Sequence, residues 1–267
     1  MDSLLAIPIT QRARIPLRPE ALHPALWLGH QLGRQADSTV SSGFAALDAQ
    51  LPGRGWPRRG LTELLLPHPG VGEIRLLAAS LVAVQEAGRL VMLFDPPAAL
   101  SALALAQMGV ELEQLLLIDT RSRPEVNRPE LTRPELRPAG TDSLWALEQA
   151  LKSGHVGAVL AWLPPRLRSE RLRRLQIAAH AHDGPAFVLR EMSVAQNPTP
   201  APLRLALRPC GADLLAVSVL KRRGPPLAAP IELELPPVLG EGERERASER
   251  ADSLGGLHAA TFVDLAA

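Results

Sequence analysis

The feature that most constrains the fold is the segment LTELLLPHPGVGEIRLL, residues 61–77. Residues 61–66 form an almost continuous apolar run, residues 67–72 are rich in Pro and Gly, and a helix-like segment rich in Leu and Ala follows. A strand that enters a helix through a short turn is the basic unit of parallel α/β sheets. The segment therefore predicts an α/β fold with this strand near its centre.

The turn has the outline of a phosphate-binding loop. In the pattern G-x-x-x-x-G-K-[ST], backbone N–H groups and the Lys bind phosphates, and the hydroxyl holds Mg²⁺. Counting back from Gly72, with Gly70 inside the turn, the first Gly falls on Pro67, the Lys on Glu73 and the hydroxyl on Ile74. Pro67 lacks an N–H, and Glu73 places an anion where phosphates would sit. We therefore expect this candidate nucleotide site to bind no ATP in the usual way, and no cofactor is predicted.

Apolar runs and helix-like stretches alternate along the rest of the chain, which favours a mostly parallel sheet. The predicted strands are residues 61–66, 90–94, 115–118, 156–163, 186–189, 203–207 and 214–220, the last two forming an antiparallel pair. The predicted helices are residues 44–51, 73–87, 96–108, 143–152 and 167–182.

Three parts of the chain are predicted from these patterns. Residues 1–40 form an N-terminal extension with an amphipathic helix, residues 41–235 form the core, and residues 236–267 form a flexible C-terminal tail. Inside the core, residues 121–140 repeat Arg-Pro-Glu pentads, and Pro at every fifth residue forbids a helix there. The tail ends in an apolar stretch, residues 257–265, which is either disordered or folds onto a partner.

Composition excludes several classes of protein. The net charge is +1, so a nucleic-acid interaction has to rest on a local patch. A single cysteine, Cys210, rules out an intrachain disulfide, and no apolar run reaches transmembrane length. We expect a soluble, cytoplasmic, nucleoid-associated protein. His180 and His182 would point in different directions on a helix, so no metal site is predicted. No Ser/His/Asp constellation can be assembled, so no catalytic residue is predicted.

Two groups of basic residues are candidates for contact with DNA or a partner protein. The first group is predicted on a helix and has Glu170 as its only acid: Arg166, Arg168, Arg171, Arg173 and Arg174. The second group is Lys221, Arg222 and Arg223. A solvated helix face is the alternative interpretation of the first group. Few aromatic residues lie near it in the sequence, which argues against base stacking.

Longer motifs carry a family resemblance. SSGFAALDAQLPGRGWPRRGLTELLLPHPGVGE (41–73) and LVMLFDPPAALSALALAQMGVELEQLLL (90–117) are similar to the opening of RecA-family ATPase cores, which implies a RecA-like P-loop NTPase fold. With HPALWLGHQLGR (23–34) and GAVLAWLPP (157–165), the chain resembles the ImuA family, the RecA-like accessory proteins of the SOS-induced mutasome. The resemblance implies two partners: ImuB, an inactive Y-family polymerase homologue, and an error-prone replicative-type polymerase. Contact with RecA, contact with DNA and self-association stay open.

The chain departs from RecA-type ATPases at the positions that carry hydrolysis. The Glu that positions the attacking water is replaced by Pro97, and the acid that ends the Walker B strand by Ala161-Trp162. We therefore expect a non-catalytic accessory protein of translesion DNA synthesis. Two alternatives remain: a residual ATP-binding switch whose Lys comes from elsewhere, such as Lys221, and an SOS-induced inhibitor of cell division.

Overall fold

The computed structural model describes residues 39–120 and 141–238, without the side chains of residues 141 and 142. The described residues all fall within one compact unit. Three predictions lie outside the described residues: the N-terminal helix, the Pro-rich insertion at 121–140, and the tail beyond residue 238. Among the described residues, no helix is long and apolar enough to cross a membrane.

A short antiparallel pair, β1 (Thr39–Val40) with β2 (Trp56–Pro57), precedes the main sheet. The main sheet has eight strands: β3 (Leu61–Leu66), β4 (Leu90–Phe94), β5 (Leu115–Ile118), β6 (Val156–Trp162), β7 (Ala186–Glu191), β8 (Leu203–Pro209), β9 (Leu214–Lys221) and β10 (Ile231–Glu234). Their order across the sheet is β10-β9-β8-β3-β7-β6-β4-β5.

The strands from β8 to β5 in that order are parallel, whereas β9 and β10 add an antiparallel end. This confirms the predicted α/β fold with a mostly parallel sheet, and it confirms the antiparallel pairing of β8 with β9. Strand β3 lies between β7 and β8 near the middle of the sheet. All six of its residues are buried, as its four leucines predict, and burial extends to the polar Thr62 and Glu63.

Helices cover both faces of the sheet. They are α1 (Ala45–Asp48), α2 (Glu73–Glu86), α3 (Ala102–Gln107), α4 (Thr141–Lys152) and α5 (Ser169–Ala181), and 3-10 turns occupy Leu112–Gln114 and Met192–Val194. On one face, Leu77 and Leu81 of α2 pack against Leu64 of β3. On the other face, α4 and α5 pack against β6 and β7 around a second apolar cluster. The period of two along β3 sends alternate side chains to the two layers.

Several bounds of the predicted helices are wrong, and the starts of two helices differ most in their consequences. The helix predicted from residue 96 begins only at Ala102, because Ser101 caps it by accepting the Ala104 N–H at 3.2 Å. The helix predicted from residue 167 begins at Ser169. Arg166 and Arg168 therefore lie before α5, and only Arg171, Arg173 and Arg174 lie on it, in contrast to the predicted single helix face.

Candidate functional site

The P-loop-like turn, residues 67–72, connects the end of β3 to the start of α2. Gly70 and Gly72 have φ values of 84° and 105°, a left-handed backbone that residues with a Cβ rarely adopt. Gly72 directly precedes α2 and provides no side-chain cap to its free N–H groups. The turn thus has the glycine-dependent geometry of a loop that approaches a ligand closely.

Glu73, the first residue of α2, turns its carboxylate back onto this turn. The Gly70 N–H donates to Glu73 Oε1 at 3.0 Å, and Glu73 is only 3% exposed. The positive end of the helix dipole stabilises an anion at this position, as it does a bound phosphate. The turn therefore already contains an anion supplied by its own chain. Oε2 of Glu73 is buried and has no hydrogen-bond partner among the described residues.

A second contact covers the same turn. Arg75 of α2 donates to the carbonyl oxygens of Ala212, Leu235 and Pro236 at 3.1, 3.1 and 2.8 Å, and it pairs with the carboxylate of Asp213. These bonds hold the segment after β10 against the start of α2. A Cβ built on Gly72 would lie 2.6 Å from Leu235 Cδ1. The buried side chain of Leu235 thus fills space next to the turn.

The strand end beyond β4 carries a carboxylate, that of Asp95, which is committed to local bonds. Its oxygens accept the Thr120 N–H at 2.7 Å, the Thr120 hydroxyl at 2.9 and 3.0 Å, and the Ser143 hydroxyl at 2.5 Å. These bonds tie the ends of β4 and β5 to α4. Pro97, at the position of the RecA-type Glu, is exposed and has no acid–base group.

The end of β6 also lacks an oxygen ligand. Ala161 is fully buried in the cluster beneath α4 and α5, and Trp162 is half-buried against the α2 side of the sheet. Mg²⁺ requires oxygen ligands, which an Ala methyl and an indole do not provide. Within the part of the chain that the structure describes, no group of three or more His, Cys, Asp or Glu side chains could hold a metal ion.

A buried charge cluster joins the three central strands. Glu63 of β3 is 0% exposed, and its carboxylate accepts from Arg190 of β7 at 3.0 Å and from Arg204 of β8 at 2.8 Å. Burial alone would raise the pKa of Glu63, but hydrogen bonds from Arg204, Thr199 and Arg190 lower it below its usual value. Arg204 also donates to carbonyls of the segment that follows β7. The cluster fixes that segment to the sheet.

Sequence reasoning assigned no role to this cluster. The available signal was a charged residue within each of three largely apolar strands, LTELLL, AFVLRE and LRLALRP. Buried charges are rare unless they are paired. The missing information was the strand order, which brings Glu63 opposite Arg204 in the β3–β8 ladder.

The basic surface, defined as Arg166, Arg168, Arg171, Arg173 and Arg174, is split by the fold. Arg166, Arg168, Arg173 and Arg174 are exposed, and Arg171 is half-buried. Arg174 pairs with Glu148 of α4 at 2.8 Å, and Lys152 contacts the same carboxylate at 2.6 Å. The hydrogen bond from Lys152 lowers the pKa of Glu148, burial opposes that shift, and the charge of Arg174 lowers the pKa further. Arg174 is thus partly neutralised.

An aromatic side chain does lie beside these arginines, in contrast to the prediction from the sequence. A pocket of about 110 Å³ opens between α4 and α5. We call it the α4–α5 groove, and it is lined by Leu144, Trp145, Glu148, Arg171, Arg174 and Leu175. Trp145 is 64% exposed. The sequence separates Trp145 from Arg171 by the whole of β6, so only the packing of α4 on α5 brings them together.

The second basic group lies at the end of β9 and contacts backbone carbonyls. Lys221 Nζ donates to Thr199 O at 2.8 Å. Arg222 donates to Pro225 O at 2.8 Å and to the carbonyl of Gln50. Arg223 also makes an interaction within the molecule. Two of these three cations therefore anchor loops, which a run of basic residues in a sequence cannot reveal.

Comparison with known proteins relates this fold to one class of protein. No family model matches the chain. Over 152 residues, 54% of the chain, it is 33% identical to Protein RecA of Bacillus velezensis, 32% identical to that of Halalkalibacterium halodurans and 31% identical to that of Enterococcus faecalis. The match covers 43–44% of those proteins, so the chain spans less than half the length of the curated relatives it matches. Over about half its length, the chain is distantly homologous to RecA.

Proposed function

We propose that this RecA-related protein binds and organises partner molecules and hydrolyses no nucleotide. The observation that carries the proposal is the bond between Gly70 and Glu73, because it places an internal carboxylate at the helix N-terminus where a phosphate would bind. A nucleotide would have to displace this anion or tolerate its charge. It would also have to move the Leu235 side chain away from Gly72.

The catalytic positions support the same proposal. Phosphoryl transfer depends on positioned charge, namely a cation on the transferring phosphate, a metal and a group that orients the nucleophile. Here these positions hold Glu73, Ala161-Trp162 and Pro97. The carboxylate that follows β4, that of Asp95, is bonded to Thr120 and Ser143. Lys221, the candidate substitute cation, is bonded to Thr199.

The finer part of the proposal concerns the cellular role. Similarity to RecA suggests a setting in DNA repair or recombination. The resemblance to the ImuA family narrows this setting to SOS-induced translesion synthesis, with an ImuB-type polymerase homologue and an error-prone replicative-type polymerase as partners. In this role the protein would work in the cytoplasm at the nucleoid and contact RecA or DNA.

Surfaces suited to partner binding support an organising role. Strand β5 is at the edge of the sheet, and Leu116 and Leu117 on it are 37% and 56% exposed. No strand of the described residues pairs with its outer side. An open edge with apolar side chains can accept a strand from another protein. The basic surface offers a separate region for an acidic partner or for DNA.

Nucleotide binding is the first test. Binding of a fluorescent ATP analogue to the full chain should be undetectable with or without Mg²⁺. Glu73→Gln should also fail to bind the analogue, because removing one charge restores neither the Lys nor the metal ligands. Tight Mg²⁺-dependent binding that Lys221→Ala abolishes would contradict the proposal and support a nucleotide-dependent switch.

Partner binding is the second test. The tagged full chain should co-purify with an ImuB-type protein when the two are co-expressed, and crosslinks should map to β5 or the basic surface. Leu117→Lys on the open edge should weaken this complex, whereas Leu103→Lys, also strongly exposed but on α3, provides the matched control. If the tagged chain instead retained the GTPase of cell division and not the polymerase homologue, the protein would be assigned to cell-division control.

A further inference from the structure

The α4–α5 groove has the features of a site for an apolar side chain. Leu144 and Leu175 contribute apolar lining, and the indole of Trp145 borders it. A cavity of ~150 Å³ lined by apolar side chains accommodates benzene. The pocket of about 110 Å³ is smaller but open to solvent, so part of one bulky apolar side chain can insert into it.

Two arginines line this pocket. Arg171 and Arg174 line it, and Arg166, Arg168 and Arg173 lie on α5 or immediately before it. Within the described chain, no acidic side chain pairs with Arg166, Arg168 or Arg173. Ile177, one turn beyond Arg173 on α5, is 61% exposed. Trp and Arg are the residue types most enriched at binding hot spots.

We propose that the chain's own C-terminal segment, residues 239–267, docks in the α4–α5 groove, with Phe262 or Leu265 inserted beside Trp145. The segment has six acidic side chains and three arginines, a net charge of −3. Its only large apolar cluster is residues 257–265, which we call the hook. An acidic stretch followed by an apolar hook complements the two arginines that line this apolar pocket. The docked segment would cover Arg171 and Arg174 until a partner displaces it.

Charge and reach both favour this occupant. The other terminal segment, residues 1–38, has four arginines and three acidic side chains, so its net charge of +1 does not complement the groove. Eighteen residues lie between Val238 and Leu257, and an extended chain spans up to ~3.5 Å per residue, or about 65 Å here. A unit of roughly 200 residues has a radius of gyration of about 16 Å. The hook can therefore reach the groove from any point on the surface.

A nucleic acid fits the same groove less well. Bases stack on flat aromatic faces and do not require an apolar pocket. Arg171 lines the pocket and has no acidic partner among the described residues, so a carboxylate of a peptide can reach it while an apolar side chain fills the pocket.

The first experiment measures how well acrylamide, a neutral quencher, reaches Trp145 in the full chain. The emission of Trp145 is obtained as the difference between wild type and Trp145→Phe. In Phe262→Ser/Leu265→Ser, the quenching constant of Trp145 should rise roughly twofold or more, because a docked anchor excludes solvent. Leu239→Ser/Leu254→Ser removes similar apolar carbon outside the hook and should leave the constant unchanged. An unchanged constant in the hook variant would overturn the proposal.

The second experiment places a photo-crosslinking amino acid at position 262 of the full chain. Crosslinks should map to α4 or α5 within a single chain. A crosslink that joins two chains would assign the groove to the tail of a second copy and overturn the internal contact. A 30-nucleotide oligo-dT is then added to the chain used for quenching. If it protects Trp145 while the hook variants do not change its quenching, the groove is a nucleic-acid site and the proposal fails.

Discussion

The Gly70 N–H donates to Glu73 Oε1 at 3.0 Å, so the turn that would bind a phosphate is bonded to a carboxylate of its own chain. The free N–H groups at the start of α2 require an acceptor or solvent, and the helix dipole favours a negative one. Glu73 supplies the negative charge at this end of the helix, and its hydrogen bond is accepted from Gly70 in the turn. Because α2 also packs against the central strands, the strand–turn–helix remains structurally necessary without a nucleotide.

Replacing Glu73 should therefore lower stability. We expect Glu73→Ala to reduce the free energy of unfolding by about 2 kcal/mol, through loss of the hydrogen bond to a charged group and of the favourable dipole interaction. Glu86→Ala, at the exposed C-terminal end of the same helix, makes the same chemical change at the opposite end of the dipole. It should be neutral or slightly stabilising. Urea denaturation followed by circular dichroism measures both, and equal losses would contradict the role assigned to Glu73.

Local patterns predicted most of the fold because the sheet is largely buried. The runs Leu61–Leu66, Leu90–Phe94 and Leu115–Ile118 were predicted with the bounds that the structure has. Strand β10 was not predicted as part of the sheet, because IELE alternates apolar and acidic residues and is too short to be distinguished from an extended loop. The start of α3 was wrong because Pro96-Pro97 looked like a helix start, whereas the cap is at Ser101.

The candidate site was predicted less completely, since its contacts join distant parts of the chain. The mismatch at Glu73 was visible in the motif, but its bond to Gly70 requires the geometry of the turn. The cover provided by Leu235 depends on the antiparallel pairing of β10 with β9. The proximity of Trp145 to Arg171 depends on the packing of α4 on α5, and no local pattern encodes it.

The buried Glu63 cluster should be sensitive to loss of one partner. Arg204→Met should destabilise the protein by about 3–5 kcal/mol, because it leaves the Glu63 carboxylate partly uncompensated inside the sheet. Arg173→Met, at an exposed position without an acidic partner among the described residues, should change the stability by less than about 0.5 kcal/mol. The melting temperatures of the two variants provide the comparison. If Arg204→Met does not fold, Arg204→Lys, which retains the charge, should recover part of the loss.

His182 should make stability depend on pH. It is fully buried, and burial, with the nearby positive charge of Arg89, lowers its pKa from 6.5 to about 4. Between those two values the unfolded chain binds a proton at His182 that the folded chain does not, so stability falls as pH decreases. The full difference in pKa corresponds to a loss of about 3 kcal/mol at most in the free energy of unfolding. In His182→Gln this component of the slope between pH 6.5 and 4 should be absent in urea titrations. An identical slope in the variant would contradict this.

The exposed arginines around α5 should account for any DNA binding by the protein. We expect the triple variant Arg166→Glu/Arg168→Glu/Arg173→Glu to lose binding to labelled oligonucleotides in fluorescence anisotropy. In variants that still bind, each lost phosphate contact should make the slope of log K against log salt less steep by about 1. Arg174 is left unchanged because its substitution would also release Glu148. Lys221→Glu/Arg222→Glu is the comparison, since those cations are bonded to carbonyls of the fold. If that pair abolishes binding and the triple variant does not, the contact with DNA lies at the end of β9.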